Sequence, residues 1–342
     1  MDAYVGFDVS KEETSFCVMD AGGKILAQGK ALSVPGSLFE ALREHTLCPA
    51  RIVLETGTLS GWLARGLRDR GLTVEVIDAR QAHAVMKLQH NKTDANDAHL
   101  LAELARTGFY RSVSVGSEAS QLQRILIKAR RHLVGQRRDT ENAIRGFLGA
   151  LGLRFPRGSG KLAGRVRGAL EERPDLKPMI EPLLASVEAL KAQIKRLDDD
   201  VVLEARTSPA SRLLMTVGGI GPITALAFAA TIGDASRFAK SRDVGAYVGL
   251  TSRRFQSGEM DYSGRISKHG DALLRSLLYE AANSLLTVVR RAHPLKDWAR
   301  RIKKRGSHRS ACVALARKLA VIMHRMLITG EAFRWPQKEE TA

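Results

Sequence analysis

Residues 3–31 read AYVGFDVSKEETSFCVMDAGGKILAQGKA, and the alternation within them decides the fold. YVGFDVS and TSFCVMD each alternate as a strand does, and the turn Ala21-Gly22-Gly23 separates the second from KILAQGKA. Three strands joined so closely form an antiparallel meander. Further along the period changes. A helix is expected around 36–46, a strand RIVLE ending at Glu55, a helix around 59–70, a strand TVEVID, and helical sequence through Arg106. Helices and strands alternating after a meander imply an α/β domain with a mixed sheet.

Beyond this domain the pattern is helical. Residues 118–150 read as one long basic helix, and a Gly/Arg/Pro-rich connection follows from about 152 to 178. A second long helix carries Ile180, Leu183, Val187, Leu190, Ile194, Leu197 and Val201 at alternating spacings of three and four. That is a heptad seam, equally suited to pairing inside one chain or to a coiled coil between chains. The turn Gly218-Gly219-Ile220-Gly221 lies between apolar helical stretches; it could aim backbone N–H groups at a phosphate or simply join two helices. Apolar helices are expected over about 271–292 and 308–329, and between them stands the basic run Arg300, Arg301, Lys303, Lys304, Arg305. The expected division is 1–110, 111–206 and 207–342.

Charge narrows the partners. The 342 residues hold 54 Lys+Arg against 36 Asp+Glu, a net of +18, which implies a polyanion. Residues 1–110 are near neutral at −2, whereas 111–250 carry +9 and 251–342 carry +11. Chemistry and anion grip are therefore expected in different parts of the chain, with nucleic acid the favoured partner over an anionic membrane surface. Cys17, Cys48 and Cys312 form no CxxC pair, so neither a disulfide framework nor a cysteine zinc site is indicated. The N-terminus has no secretory pattern, and the uncharged stretch from Leu213 to Gly233 is broken near its start by three glycines and Pro222. It reads as buried core, and the chain as a cytoplasmic protein with no membrane partner.

Four carboxylates suggest a site. Asp8 interrupts the apolar first strand, on a face shared with Tyr4 and Gly6 that could simply be the less buried one. Glu55 ends a strand where α/β sheets place ligands, although a helix dipole would favour it there too. Asp94 and Asp97 are three apart in the first helical turn of NKTDANDAHLLAELAR, where capping alone is a sufficient reason for acidic residues. Together the four could converge to bind one or two magnesium ions, which take hard oxygen ligands and can polarise a phosphodiester.

GFDVSKE, LETG, NKTDANDA, GLTSRRFQSGE and GRISKHGDALLRSLLYEAA together resemble the DEDD transposases of insertion-sequence family one hundred and ten, relatives of the Piv-type DNA invertases. The resemblance spans nearly the whole chain. It implies a ribonuclease H-like (RuvC-like) N-terminal domain, a helical coiled-coil middle, and a mostly helical C-terminal transposase domain with a serine nucleophile. It makes Asp8, Glu55, Asp94 and Asp97 the metal ligands, Mg2+ the cofactor and Ser257 the nucleophile. Taken on the residues alone, Ser252, Ser263 and Ser267 share the loop-like, basic surroundings of Ser257 and could not be told from it. The resemblance further implies DNA as donor and target, a non-coding bridge RNA as guide, and a homo-oligomer, dimer or tetramer. In a bacterial cell such a protein is expected at the nucleoid.

Lys92, Arg253, Arg254, Arg265 and Lys268, with the run from Arg300 to Arg305, are the candidate nucleic-acid contacts. Two motifs depart from the family pattern: its Pro-Gly-Ile-Gly hairpin is Gly218-Gly219-Ile220-Gly221 here, and its Leu-Thr-Pro is Leu250-Thr251-Ser252. Rival readings are a metal-dependent structure-specific nuclease that uses water, and a nucleic-acid-binding protein without chemistry. A sugar or acetate kinase is disfavoured by the +18 charge and the missing second glycine-rich phosphate loop.

Overall fold

The computed structural model describes residues 2–46, 48–87, 93–156, 158 and 160–335, and divides the chain into two compact units, 1–116 and 117–342. The first unit holds 13 basic and 14 acidic side chains, a net of −1, and the second 41 and 22, a net of +19, so the whole positive excess belongs to the second.

The first unit is a mixed α/β sheet. Its strands are β1 (Ala3–Val9), β2 (Glu13–Asp20) and β3 (Ile25–Leu32), then, after α1 (Pro35–Arg43), β4 (Arg51–Glu55), and, after α2 (Ser60–Arg68), β5 (Val74–Ile77). Helices α3 (Ala79–Met86) and α4 (Asp94–Thr107) close it. Strand order is β3-β2-β1-β4-β5, antiparallel through the meander and parallel from β1 to β4 to β5. One face packs Val5, Phe7, Ile52 and Leu54 against Leu38, Leu63 and Leu67 of α1 and α2. The other face receives α4, where Val53 and Ile77 meet Leu101 and Ala105. Gly6 is what permits this contact. A Cβ there would stand 2.2 Å from the backbone O of Ala98 and N of Ala102, so only glycine lets the helix lie so close. The face bearing Asp8 is covered by α4, yet it is the less buried of the two: Tyr4 and Asp8 are half-buried, whereas Ala3, Val5 and Phe7 are buried.

The second unit is mostly helical. It comprises α5 (Glu118–Gly149), α6 (Leu162–Glu172), α7 (Lys177–Thr207), α8 (Pro209–Leu214), α9 (Pro222–Ile232), α10 (Asp243–Tyr247), a two-stranded sheet of β6 (Ser252–Ser257) and β7 (Met260–Ile266), then α11 (Ala272–Thr287), α12 (Pro294–Arg305) and α13 (His308–Thr329). Part of the 152–178 connection is helical: Leu162, Val166 and Leu170 recur at helical spacing and bury a stripe of α6. Helices α5 and α7 run antiparallel: Gln123 bonds Glu204, Arg130 pairs with Asp198, and Ile144 and Leu148 cluster with Leu184 and Val187. Along the heptad seam Ile180, Val187, Ile194 and Val201 are buried, while Leu183, Leu190 and Leu197 are half-buried.

Helix α9, within the uncharged stretch, is buried nearly all round at the heart of this unit, and no helix among the described residues is long and apolar enough to cross a membrane. After Gly330 the chain folds back as a strap. Phe333 N donates to Thr216 Oγ1, Trp335 Nε1 donates to the Thr216 carbonyl, and the indole lies over Gly218 of the glycine-rich turn, where a Cβ would come within 2.6 Å of the ring.

Candidate nucleic-acid processing site

Strand register gathers the acidic residues at one edge of the sheet. Asp8 pairs with Ser15 of β2, and Ser15 with Lys30 of β3, so the three share a rung and a face. On the other side the last paired residues of β1 and β4 are Phe7 and Leu54, which makes Asp8 and Glu55 adjacent strand-end neighbours. Alternation puts Asp8 with Gly6 and Glu55 with Val53, the residues that meet α4. Helix α4 runs back along β1: Tyr4 packs near Leu101–Ala105 and Gly6 near Ala98–Ala102, so its first turn lies over the rung of Asp8. The helix begins there because Thr93 accepts a hydrogen bond from Asn96 N, and Asp94 and Asp97 occupy its first turn. Lys30 Nζ reaches 3.4 Å from Asp94 Oδ2, an independent mark that the turn overhangs the rung.

The two helix carboxylates differ. Asp97 is only 7% exposed, on the side of α4 that meets the sheet, whereas Asp94 faces outward toward Lys30. Both profit from the helix dipole. Carboxylates are donors of the kind a hard divalent cation takes, and these four come from three elements near this end of the sheet. Among the described residues, however, no three His, Cys, Asp or Glu side chains come together as a ready-made metal-binding group. Lys30 and Ser15 belong to this rung and escaped the sequence reading, since nothing but strand register reveals them.

Ser257 belongs to the other unit and is not on a loop. Ser252–Ser257 and Met260–Ile266 pair as a β-hairpin with Ser257 opposite Met260, the last rung before the turn. Gly258 takes φ 55° at the first central position of this two-residue turn, as the II′ type requires. The sequence looked loop-like because every residue of β6 is exposed, so no buried face imposes a strand pattern. Of the other serines, Ser252 and Ser263 lie nearer the hairpin's root and Ser267 lies beyond it. That root is fastened: Ser267 N donates to the Thr251 carbonyl and Lys268 N to that of Gly249. Lys268 has φ 57°, the sole positive value outside glycine among the described residues.

The basic candidates fall into two groups. Arg253, Arg265 and Lys268 are exposed on and beside the hairpin, while Arg254 is held by Asp261, whose carboxyl it keeps below the usual range. Arg300, Arg301, Lys303, Lys304 and Arg305 are exposed on α12, with Arg300 paired to Asp297. Lys92 lies outside the described residues.

One further constellation has the chemistry of a thiol site without the access. His308 Nε2 stands 2.8 Å from Asn283 Oδ1 and 3.4 Å from Cys312 Sγ. Cys312 is 0% exposed, and burial pushes its thiol pKa up, so the group behaves as an inert structural cluster.

A carboxylate-lined sheet edge in one unit and a strongly basic helical unit with an exposed serine hairpin define a DNA-processing class of protein. Comparison with known families matches residues 5–152 to transposases of the DEDD IS110 type and residues 211–299 to the transposase IS116/IS110/IS902 family. The chain is 31% identical over 295 residues to a probable family 20 transposase of Pseudomonas aeruginosa, covering 84% of this chain and 87% of that one. It is 28% identical over 341 residues to the transposase for insertion sequence element IS1111A of Coxiella burnetii, covering 96% and 91%. With the transposase for IS1328 of Yersinia enterocolitica it shares 27% over 335 residues, covering 96% and 98%. The chain belongs to the IS110 family of transposases, enzymes that recombine DNA.

Proposed function

We propose that this transposase cuts and rejoins DNA through a covalent bond between Ser257 and the phosphate, assisted by magnesium held by Asp8, Glu55, Asp94 and Asp97. The observation that supports the reading is that Asp8 and Glu55 stand at neighbouring strand ends, with the first turn of α4, which carries Asp94 and Asp97, running over the rung of Asp8. The strand order β3-β2-β1-β4-β5 supports a RuvC-like fold for this unit.

In the reaction the Ser257 oxygen forms a bond to phosphorus, its proton leaves, and the bond to one bridging deoxyribose oxygen breaks, that oxygen departing as a hydroxyl. The phosphodiester energy is kept in the protein–DNA bond, and attack by a hydroxyl of the new partner strand releases the serine. A bound divalent cation would neutralise charge on the phosphate and favour the ionised serine. Arg253, Arg265 and Lys268, exposed around the serine, would hold the phosphate and its neighbours, and the basic face of α12 would carry the flanking backbone. A bridge RNA as guide, and a dimer or tetramer joined through the half-buried side of the α7 seam, complete the proposal. The proposed organisation is a RuvC-like part over 1–110, a coiled-coil part over 111–206 and a transposase part over 207–342.

The test is a trapped reaction on labelled DNA. A detergent-resistant protein–DNA band that needs magnesium, maps to Ser257 and is absent in Ser257→Ala is expected. Cutting by Ser257→Ala at the parent's rate with no adduct would mean that water attacks and that the protein acts as a nuclease.

A further inference from the structure

The face of the hairpin that carries Ser257 also carries two stacked aromatic rings. Phe255 and Tyr262 are cross-strand partners, their centroids 5.0 Å apart and their planes 20° from parallel. Alternation sets Arg253, Phe255 and Ser257 of β6 on one side of the ribbon with Met260 and Tyr262 of β7, while Arg254 and Asp261 pair on the other. Gly264 completes the arrangement, since a Cβ there would stand 3.0 Å from the Phe255 ring. The pair is not core: Phe255 is 45% and Tyr262 56% exposed, and Met260 beside them is more open still. A two-stranded ribbon gains little stability of its own, so large apolar groups held in water on it need another reason.

We propose that the Phe255–Tyr262 pair is a stacking platform for an unpaired base of the DNA strand whose phosphate Ser257 attacks. The inference rests on the Ser257 reading. Flat, exposed rings interleaved with arginines are the chemistry that grips single-stranded nucleic acid, the cations holding phosphates and the rings holding bases of any sequence. Strand rise puts Phe255 about 7 Å from Ser257, the reach of one or two nucleotides. An unstacked base held there would fix the scissile phosphate against the hydroxyl, which a bare ribbon could not do. The charge of the surroundings, with Arg253, Arg265 and Lys268 exposed, argues for a nucleic-acid occupant over a second protein surface.

The experiment uses the full-length protein and a single-stranded oligodeoxynucleotide, 20 nucleotides of thymidine with 5-iodouracil at successive positions. Photocrosslinks are expected at Phe255 or Tyr262, and Phe255→Leu with Tyr262→Leu should bind about tenfold more weakly, the loss of about one stacked base. The salt slope should stay unchanged, because no cation is removed. Phe255→Tyr with Tyr262→Phe should restore binding, which separates stacking from mere folding of the ribbon. Ser257→Ala should bind and crosslink as the parent does. Parental affinity in the leucine variant, or a loss confined to an oligoribonucleotide of the same base sequence, overturns the platform even where the Ser257 adduct still forms. So does a change of oligomeric state with DNA affinity intact. A missing adduct with crosslinks at the rings would instead reject the serine reading alone.

Discussion

Lys30 and Asp94 meet at 3.4 Å although they lie on the third strand and the fourth helix, and their pairing spans the rung on which Asp8 stands. The ammonium would compete with a bound divalent cation for the Asp94 carboxylate. Removing it in Lys30→Met should tighten manganese binding by about two- to fivefold, the worth of a weak exposed ion pair. Stability should change by less than about 0.5 kcal/mol, since both side chains are more than half exposed. Titration calorimetry decides it: an unchanged affinity would remove Asp94 from the ligand set.

Asp8→Asn and Asp97→Asn keep shape but remove hard anionic donors. Each should reduce magnesium-dependent cleavage by at least about a hundredfold while leaving duplex affinity, measured by filter binding, within about twofold. Persistent cleavage in both would make the acidic rung structural.

Gly6→Ala is expected to loosen the sheet from α4. The added carbon would meet backbone atoms of Ala98 and Ala102 at 2.2 Å, and backbone cannot rotate away. A cost of about 3 kcal/mol is expected. Hydrogen exchange should show it as faster exchange in peptides covering β1 and α4, with peptides of the second unit unaffected. Uniform exchange throughout would contradict the packing argument.

The exposed cations of α12 should contribute to affinity additively and without sequence preference. Reversing Arg301 and Lys304 to glutamate should lower the log-log slope of DNA affinity against salt by about 0.9 for each phosphate no longer neutralised. An unaltered slope would remove α12 from the DNA track.

His293 links stability to pH. Its Nδ1 accepts from Leu295 N and so caps α12, and burial holds its pKa below the ordinary 6.5, against the opposing pull of the Arg334 backbone and Asp297. The unfolded chain therefore takes up this proton at higher pH than the folded one. Stability present above pH 6.5 is lost as pH falls toward the lower folded value. The melting temperature should fall between pH 7 and 5.5, and His293→Asn, which caps without titrating, should flatten that part of the profile. His293→Ala should cost about 1 kcal/mol at neutral pH.

The meander and the alternation after it were legible from short apolar runs bounded by turn residues, and the long helices from apolar residues at helical spacing. Gly6 to Ala102 was not, since a close approach leaves no trace in hydropathy. Nor was the hairpin: a ribbon exposed on both sides has no amphipathic signal, so Ser257 stood out only through family resemblance. Asp8 was legible as a carboxylate interrupting an apolar strand, and Glu55, Asp94 and Asp97 as carboxylates at element ends. Lys30 and Ser15 were hidden because only strand order reveals a rung. Cys312 illustrates the converse, its His308 and Asn283 neighbours being apparent only once α11 and α13 are packed.

The strap that returns from Gly330 gives the protein an optical handle. Trp335 is hydrogen-bonded to Thr216, stacked beneath Arg291 and laid on Gly218, while Trp298, the other indole of its unit, lies beneath Lys318. Peeling the strap away would carry the Trp335 indole into water and shift its emission to the red. In Trp298→Phe, with Trp62 of the first unit as a steady background, intrinsic fluorescence would follow the glycine-rich turn in real time without any attached dye.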